Sequence, residues 1–466
     1  MDIQANELKS SKAEKVCYAF GDVGSNFVWS FSSSFLTLYY TDSAALSAAF
    51  AGTMMLICRF FDGISDIGMG AVIDKTRARW GRARSWLLFS TVPLVLVYIA
   101  TFNVPSSLGM TGKNIYAFVT YFLLSVVCYT ANNLAYHAML PRFSLSSQDR
   151  STVSVVRTVF VLIAIMAINI VTPIVLTILG GANSQHGWTI ITLIYGAMAT
   201  VSLFITFFGV KEKLPVDDSG EKIKQKAPLK LAVKSLMSTR YFYIAIMLLL
   251  TYSITGGSIG TGIYYARDVL GNANLFGIMS ITTVLPTLVI VPFIPALFKK
   301  FGKRNSMLYG LALSITAVVV ILLTDPRNAV LYITMVLIRT IGNIPLLVAA
   351  FTLAGDIVDY NYMKTGIRAE GITTAANSVG MKIGTGLGSA LLGWLLAWGH
   401  YDGTLAVQPD SAITSMITMA VVVPLIVYII AFVLLLFWDL EKYQTQVQEY
   451  LRSKSNEGER STHAAE

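Results

Sequence analysis

About twelve stretches of eighteen or more predominantly apolar residues follow one another through the 466-residue chain, each long enough to cross the ~30 Å hydrocarbon core of a bilayer as a helix. No soluble fold hides that many. Hydrophobic side chains make up 55% of the chain and charged ones 13%, against about 25% charged in an ordinary soluble protein, and the mean hydropathy is +0.63. A bilayer offers the backbone no hydrogen-bonding partners, so only helices and closed barrels span it, and the alternating ten-residue segments of a barrel are missing. The fold class is therefore read as an all-α polytopic membrane protein with twelve transmembrane helices. Composition excludes a disordered chain, a coiled coil, a disulfide scaffold and a soluble enzyme.

The spans are expected near 16–40, 46–73, 86–104, 115–139, 152–179, 188–210, 241–266, 274–298, 305–323, 329–355, 369–398 and 412–438. Lysine and arginine orient them. The N-terminal segment and every second loop hold 28 of the 35 basic residues: Lys9, Lys12 and Lys15, five in 74–85, Arg142 and Arg150, eight in 211–240, four in 299–304, Lys364 and Arg368, and four after 438. The alternate loops hold Lys113, Arg267 and Arg327. The positive-inside rule then expects both termini in the cytoplasm of a multi-pass plasma-membrane protein. Basic residues scattered over short loops make the net charge of +9 an orientation signal, and no nucleic-acid partner is expected. The first fifteen residues are polar and no removable signal peptide is expected. Cys17, Cys58 and Cys128 fall inside spans at spacings of no metal or redox motif and read as packing residues.

The longest polar segment, 211–240, falls near the midpoint. It divides the chain into a six-helix bundle at 1–210, a cytoplasmic loop at 211–240, a second six-helix bundle at 241–438 and a cytoplasmic tail at 439–466. The halves echo each other: DKTRARWGRAR (74–84) follows the second span and KKFGKR (299–304) follows the eighth. Repeated halves are a transporter architecture, with the substrate held between them near the membrane midplane.

Four basic residues remain within spans, Arg59, Arg157, Arg339 and Lys382, with Asp22, Asp62 and Asp66 as acidic counterparts. A charge costs about 2.5–3.5 kcal/mol at the centre of an inserted helix, so it tends to be paired and functional. In CRFFDGISD, Arg59, Asp62 and Asp66 stand three and four residues apart, on one helix face. Two carboxylates a turn apart can hold a small hard cation or share a proton, with Ser65 and Thr130 supplying hydroxyl ligands. The competing reading is a structural ion pair centred on Arg59. In the fourth span CYTANNLAYHA (128–138) concentrates Tyr129, Thr130, Asn132, Asn133, Tyr136 and His137, groups that match the hydroxyls and apolar ring face of a sugar; interhelical hydrogen bonding explains the same residues. Asn26 and Trp29 in the first span can hold a hydroxyl and stack on a pyranose. Arg157 and Lys382 are isolated by sequence and meet only in a folded bundle. No nucleophile–base pair, metal-ligand spacing beyond a sodium site or phosphate loop marks an enzyme.

The runs YYTD (39–42), GTMMLICRFFDGISDIGMG (52–70), RARWGRARSW (77–86) and DIVDYNYMKTGIRAEG (356–371), followed by Lys382, resemble in order the glycoside–pentoside–hexuronide:cation symporter family of the major facilitator superfamily, whose members include the melibiose and glucuronide carriers. The resemblance runs from about residue 14 to 440. It implies two six-helix bundles with alternating access in a bacterial inner membrane, a sodium ion or proton as coupling ion and no other cofactor, a small sugar as partner and no obligate protein partner. It further implies that Asp62 and Asp66 are the cation-site carboxylates, that Thr130 lies near them, and that Tyr129, Arg157 and Lys382 line the sugar cavity. Ser65 stands where other members carry asparagine or alanine. The melibiose carrier has aspartates at the positions of Asn26 and Asn133, a tryptophan at His137 and a lysine at Ser25; the glucuronide carrier shares both asparagines.

Amides in place of two carboxylates, with Arg157 and Lys382 retained, favour an anionic sugar such as a uronide or sulfonated sugar. Against that, Asp22 can neutralise Arg157, and Asp62 or Asp66 can neutralise Lys382, which leaves a neutral glycoside or pentoside as the alternative cargo. A sugar sensor that binds without pumping is the remote alternative. A charge network of Asp22, Arg59, Arg82, Asp356, Asp359 and Arg368 is expected to gate access, with loops 74–84 and 299–304 latching the cytoplasmic side onto helix C-termini and acids. From Asp439 the tail reads as a short amphipathic helix and then a charged end.

Overall fold

The computed structural model describes residues 10–144, 146–213, 229–367, 370–405, 407–450 and 453, and among them no residue is in a strand. Helices start where side chains can cap the free N–H groups of a first turn. Ser11 and Glu14 form a reciprocal capping box, Ser146 accepts from Asp149 N at 3.1 Å, Ser184 from Gly187 N at 3.2 Å, and Asn328 from Leu331 N at 3.1 Å. The long rods are α1 Lys12–Leu38, α2 Ala48–Lys75, α3 Arg82–Thr101, α4 Met110–Phe143, α5 Ser147–Ile178 and α6 Gln185–Gly209. They continue with α7 Arg240–Gly257, bent by 41° onto Thr261–Val269, α8 Leu275–Phe301, α9 Lys303–Leu323, α10 Ala329–Thr365, α11 Glu370–Trp398 and α12 at 410–436. Each expected stretch coincides with one rod. Nine described helices are long and apolar enough to cross a membrane, ten if the bent pair is one span; α1 and α2 have the length and carry the polar and charged residues of the central site.

Four π-helical turns interrupt these rods among the described residues: Tyr39–Ser43 after α1, Leu123–Tyr129 within α4, Tyr265–Val269 after α7 and Thr418–Val422 within α12. A π-turn shifts the hydrogen-bond ladder from i−4 to i−5 and frees a carbonyl for another partner. All four lie beside a charged or polar contact described below.

α1 packs against α5 and α6, α3 against α4 and α6, α9 against α10 and α12, and α7 against α11 and α12. Two further pairs join the first six rods to the last six, α2 with α11 and α5 with α8. Glycine permits the first: a Cβ on Gly393 would stand 2.8 Å from Gly52 Cα, so backbone meets backbone as small residues allow in lipid.

The two basic loops are built alike. Gly81 at φ 105° and Gly302 at φ 80° turn the chain in a region that favours glycine. Glu212, just beyond α6, accepts from the N–H groups of Arg82, Ala83 and Arg84 at 3.2, 2.9 and 2.9 Å. Glu441, just beyond α12, accepts from Arg304 N at 2.6 Å. The guanidinium of Arg84 donates to Phe207 O at 2.8 Å, and that of Arg304 to Leu435 O at 2.9 Å, at the carbonyl ends of α6 and α12.

Replacing Gly393 by valine should force α2 away from α11. Overpacking of this kind costs about 1–3 kcal/mol, so the purified variant should unfold several degrees lower; a Tm equal to that of the parent would show that the approach is not needed.

Candidate functional site

The helical spacing of Arg59, Asp62 and Asp66 holds in α2. Arg59 and Asp62 are buried, at 7% and 4% exposure, and Arg59 Nη1 lies 3.3 Å from Asp62 Oδ2. From α4, Thr130 donates to Asp62 Oδ1 at 3.0 Å and Ser125 to Asp62 Oδ2 at 3.5 Å. The π-turn in α4 makes this arrangement: Thr130 also reaches Ser125 O at 3.3 Å, and the carbonyl of Val126 accepts from Ser65 Oγ at 2.5 Å. Ser65 thus gives its hydroxyl proton to α4 backbone and is not among the residues lining the carboxylate cavity.

The remaining carboxylate is held from the other half of the chain. Lys382 Nζ of α11 donates to Asp66 Oδ2 at 2.5 Å and to the backbone oxygen of Asp62 at 3.0 Å. Both carboxylates and Lys382 line a cavity of about 610 Å³ together with Trp29, Arg59, Tyr129, Thr130 and Asn133, and with Asn377, Ser378 and Thr385 of α11. Trp29 stacks on Tyr129 at 4.4 Å between ring centroids and 23° between planes, and the Arg59 guanidinium lies 3.9 Å over the Trp29 ring, a cation–π contact. Trp29, Arg59 and Thr385 border both this cavity and a small void lined by Ser32, Ser33 and Gly257.

Arg157, His137 and Asp22 form a separate group that does not line the cavity. Arg157 Nε lies 3.3 Å from Asp22 Oδ2 and Arg157 Nη1 3.1 Å from His137 Nδ1. Asn26 is tied within its own helix: Nδ2 donates to Asp22 O at 2.8 Å and Asp22 Oδ1 at 3.2 Å, and Oδ1 accepts from Ser30 at 2.8 Å. Asn133 donates to Tyr129 Oη at 3.3 Å. Of the polar cluster in α4, Asn132 serves packing, donating to Ser90 Oγ at 3.0 Å, and Tyr136 exchanges hydrogen bonds with Tyr18 across stacked rings.

Of the expected gate residues, Arg82 and Asp356 make contacts within their own halves. Arg82 offers its backbone N–H to Glu212, Lys303 pairs with Asp356 at 2.6 Å, and Asp359 lines a hollow beside Asp356 and Glu441. Arg368 lies outside the described residues. A further set of contacts between the halves lies at the opposite end, on residues the sequence pattern did not single out. Arg267 Nη1 lies 2.5 Å from Asp42 Oδ2, Tyr401 donates to Asp42 Oδ1 at 2.8 Å, and the hydroxyls of Thr41 and Tyr264 are 2.9 Å apart. Asp42 ends the YYTD run, and Arg267 is one of only three basic residues in the alternate loops. Both signals were present, but nothing in the sequence joined them. With the aspartate buried at 5% exposure and bonded across the halves, this end is closed, while the cavity of the two carboxylates extends toward the basic loops.

With this geometry in hand, comparison with known proteins places the chain among transporters. Residues 17–442 match the family described as MFS/sugar transport protein. The isoprimeverose transporter of Lactiplantibacillus pentosus is 30% identical over 95% of this chain and 91% of its own. The glucuronide carrier protein homolog of Escherichia coli is 28% identical over 91% of this chain and 92% of its own. A bacterial homolog of the human lysosomal transporter Spinster, in an inward-facing occupied conformation, superposes with a TM-score of 0.67 at 12% identity, covering 93% of this chain and 97% of that one, a likeness of fold alone.

Removing one partner of a buried ion pair costs about 3–5 kcal/mol. Arg267→Gln should therefore loosen the closed end and raise, by at least about tenfold, the rate at which a cysteine placed at Ser33, in a background lacking the native cysteines, reacts with a membrane-impermeant maleimide applied from that end. An unchanged rate would remove the latch role of Asp42 and Arg267.

Proposed function

The chain belongs to the MFS/sugar transport protein family, and on that premise we propose that it is a secondary active symporter that couples a sodium ion or proton to the uptake of a glycoside. The observation that carries this reading is Lys382 on Asp66. An ammonium and a coupling cation compete for the same carboxylate. When the cation occupies Asp62 and Asp66, with Thr130 and Ser125 as further oxygen donors, Lys382 is displaced into the cavity, free to meet the substrate. Cation and sugar then bind better together than either does alone, which is the coupling symport requires. Tyr129 offers an aromatic surface to a sugar ring, while Trp29 carries Tyr129 and Arg59 against its own ring, and Asn133, Asn377 and Ser378 offer hydrogen bonds to the sugar hydroxyls.

The cargo proposed is acidic, a uronide or sulfonated sugar. In the resting cavity two bases, Arg59 and Lys382, pair with two carboxylates, Asp62 and Asp66, and outside it Arg157 pairs with Asp22. An added monovalent cation leaves one positive charge unbalanced, and a monoanionic sugar balances it. The same one-to-one pairing favours the second reading, a neutral glycoside or pentoside, because the empty site holds no surplus charge. Both termini are proposed to be cytoplasmic from the basic loops, with two six-helix bundles rocking about the central cavity.

Uptake and counterflow in proteoliposomes, with a panel of glucuronides, xylosides and galactosides in the presence and absence of sodium at fixed pH, test the proposal. Labelled sugar should exchange faster than it moves net, and Asp62→Asn should abolish concentrative uptake. If Asp62→Asn leaves both concentrative uptake and exchange intact, the coupling role is wrong; competition by neutral glycosides as strong as that by glucuronides overturns the acidic cargo. Lys382→Gln should weaken glucuronide binding at least about tenfold and that of neutral glycosides much less.

A further inference from the structure

Among the described residues Arg59, Arg157 and Lys382 each have a carboxylate partner; Arg339, the fourth in-span base, does not. It lies on α10, half-buried, in a second cavity of about 370 Å³ walled by α5, α7, α8, α10 and α12. No carboxylate lines that cavity, and among the described residues Arg339 has no ion-pair partner. The guanidinium makes a single side-chain hydrogen bond, from Nη1 to Ala420 O at 3.2 Å. That carbonyl belongs to the π-turn Thr418–Val422, so the helix is distorted at the point where it meets the arginine.

The other polar groups around the cavity are poised in the same way. Asn343 Oδ1, one turn along α10 from Arg339, is sealed from solvent without a hydrogen-bond partner. Tyr252, Tyr332 and Tyr428 line the cavity, and among the described residues their hydroxyls find no protein partner. A guanidinium in an apolar span without a counter-charge is costly, and its five N–H groups form a fork that fits carboxylate or sulfonate oxygens in pairs. Three phenols and an amide oxygen around one guanidinium suit an anion that also carries hydroxyls. A neutral ligand would leave the arginine without a counter-charge, and a cation would be repelled by it.

We propose that this cavity is a second binding site, separate from the carboxylate cavity, for a small hydroxylated organic anion whose carboxylate or sulfonate sits on Arg339. The inference rests on the unpaired guanidinium and not on what the central cavity carries. Two sources share this chemistry, a cargo molecule in passage and a separate hydroxylated acid.

Calorimetric titration of the purified full-length protein with D-glucuronate, against D-glucose as the uncharged counterpart, tests it. The site requires a glucuronate-binding component that glucose does not produce and that persists in Lys382→Gln. Its Kd should rise at least about tenfold in Arg339→Gln, and equally in Leu347→Trp, which fills the cavity while leaving the guanidinium in place; Arg339→Lys should retain most of the binding. Leu347→Trp decides the matter if Arg339→Gln does not fold. Counterflow of glucuronate separates the two sources, both of which uphold the site: it slows in Arg339→Gln if the anion is cargo and is unchanged if it is a separate acid. Absence of glucuronate binding in the parent protein, isotherms unchanged in Arg339→Gln and Leu347→Trp, or complete loss of binding in Lys382→Gln would each overturn the proposal.

Discussion

The contact between Lys382 and the carboxylate face of α2 organises the molecule. It joins a helix from the first half of the chain to one from the second at the place where a bilayer tolerates charge least. Asp62 and Asp66 on one helix face would repel each other if both were charged and unaccompanied; Arg59 from the same helix and Lys382 from α11 separate and neutralise them. The neighbouring glycines let α2 and α11 approach until backbone touches backbone, so the ammonium reaches both Asp66 and the main chain of Asp62. Two ion pairs stand side by side there, Arg59 with Asp62 and Lys382 with Asp66, and the proposed exchange of Lys382 for a coupling cation starts from the second of them.

Local distortions of the helices place these groups. Each π-turn among the described residues falls beside a polar contact that a regular helix would not make. In α4 one brings Thr130 to Asp62 and offers Val126 O to Ser65. At the far end, the first and third carry Asp42 and Arg267, which meet across the halves. In α12 one presents Ala420 O to Arg339. The distortion costs backbone hydrogen bonding in the rod and supplies an acceptor where a buried donor needs one, an exchange that matters more in lipid than in water because lipid offers no alternative partner.

Asymmetry between the two ends follows from which charges cross the halves. At the basic end, Glu212 and Glu441 tie each repeated loop back into its own half, and the acid partner of Lys303 is likewise in its own half. These contacts fasten each basic loop within its own half. At the opposite end, Asp42, Arg267 and Tyr401 join the halves. That difference in pairing accompanies a cavity that extends toward the basic loops.

Much of this was legible in the amino-acid order. Apolar length and period set the helices, and the three-and-four spacing of Arg59, Asp62 and Asp66 set their common face, because both depend only on the geometry of a single helix. The repeated glycine–basic loops were readable for the same reason: each is a local turn. Contacts between helices were not. The pairing of Arg157 with Asp22 was open to the sequence and holds, but nothing local told that it would stand beside His137 outside the cavity, that Ser65 would turn to Val126, or that Asp42 would find Arg267 some two hundred residues away. The sequence by itself determined how many helices there are, their character and the charges they carry into the membrane; only the tertiary structure decided which charges meet, because a buried ion pair is chosen by the packing of two helices and not by the spacing along one.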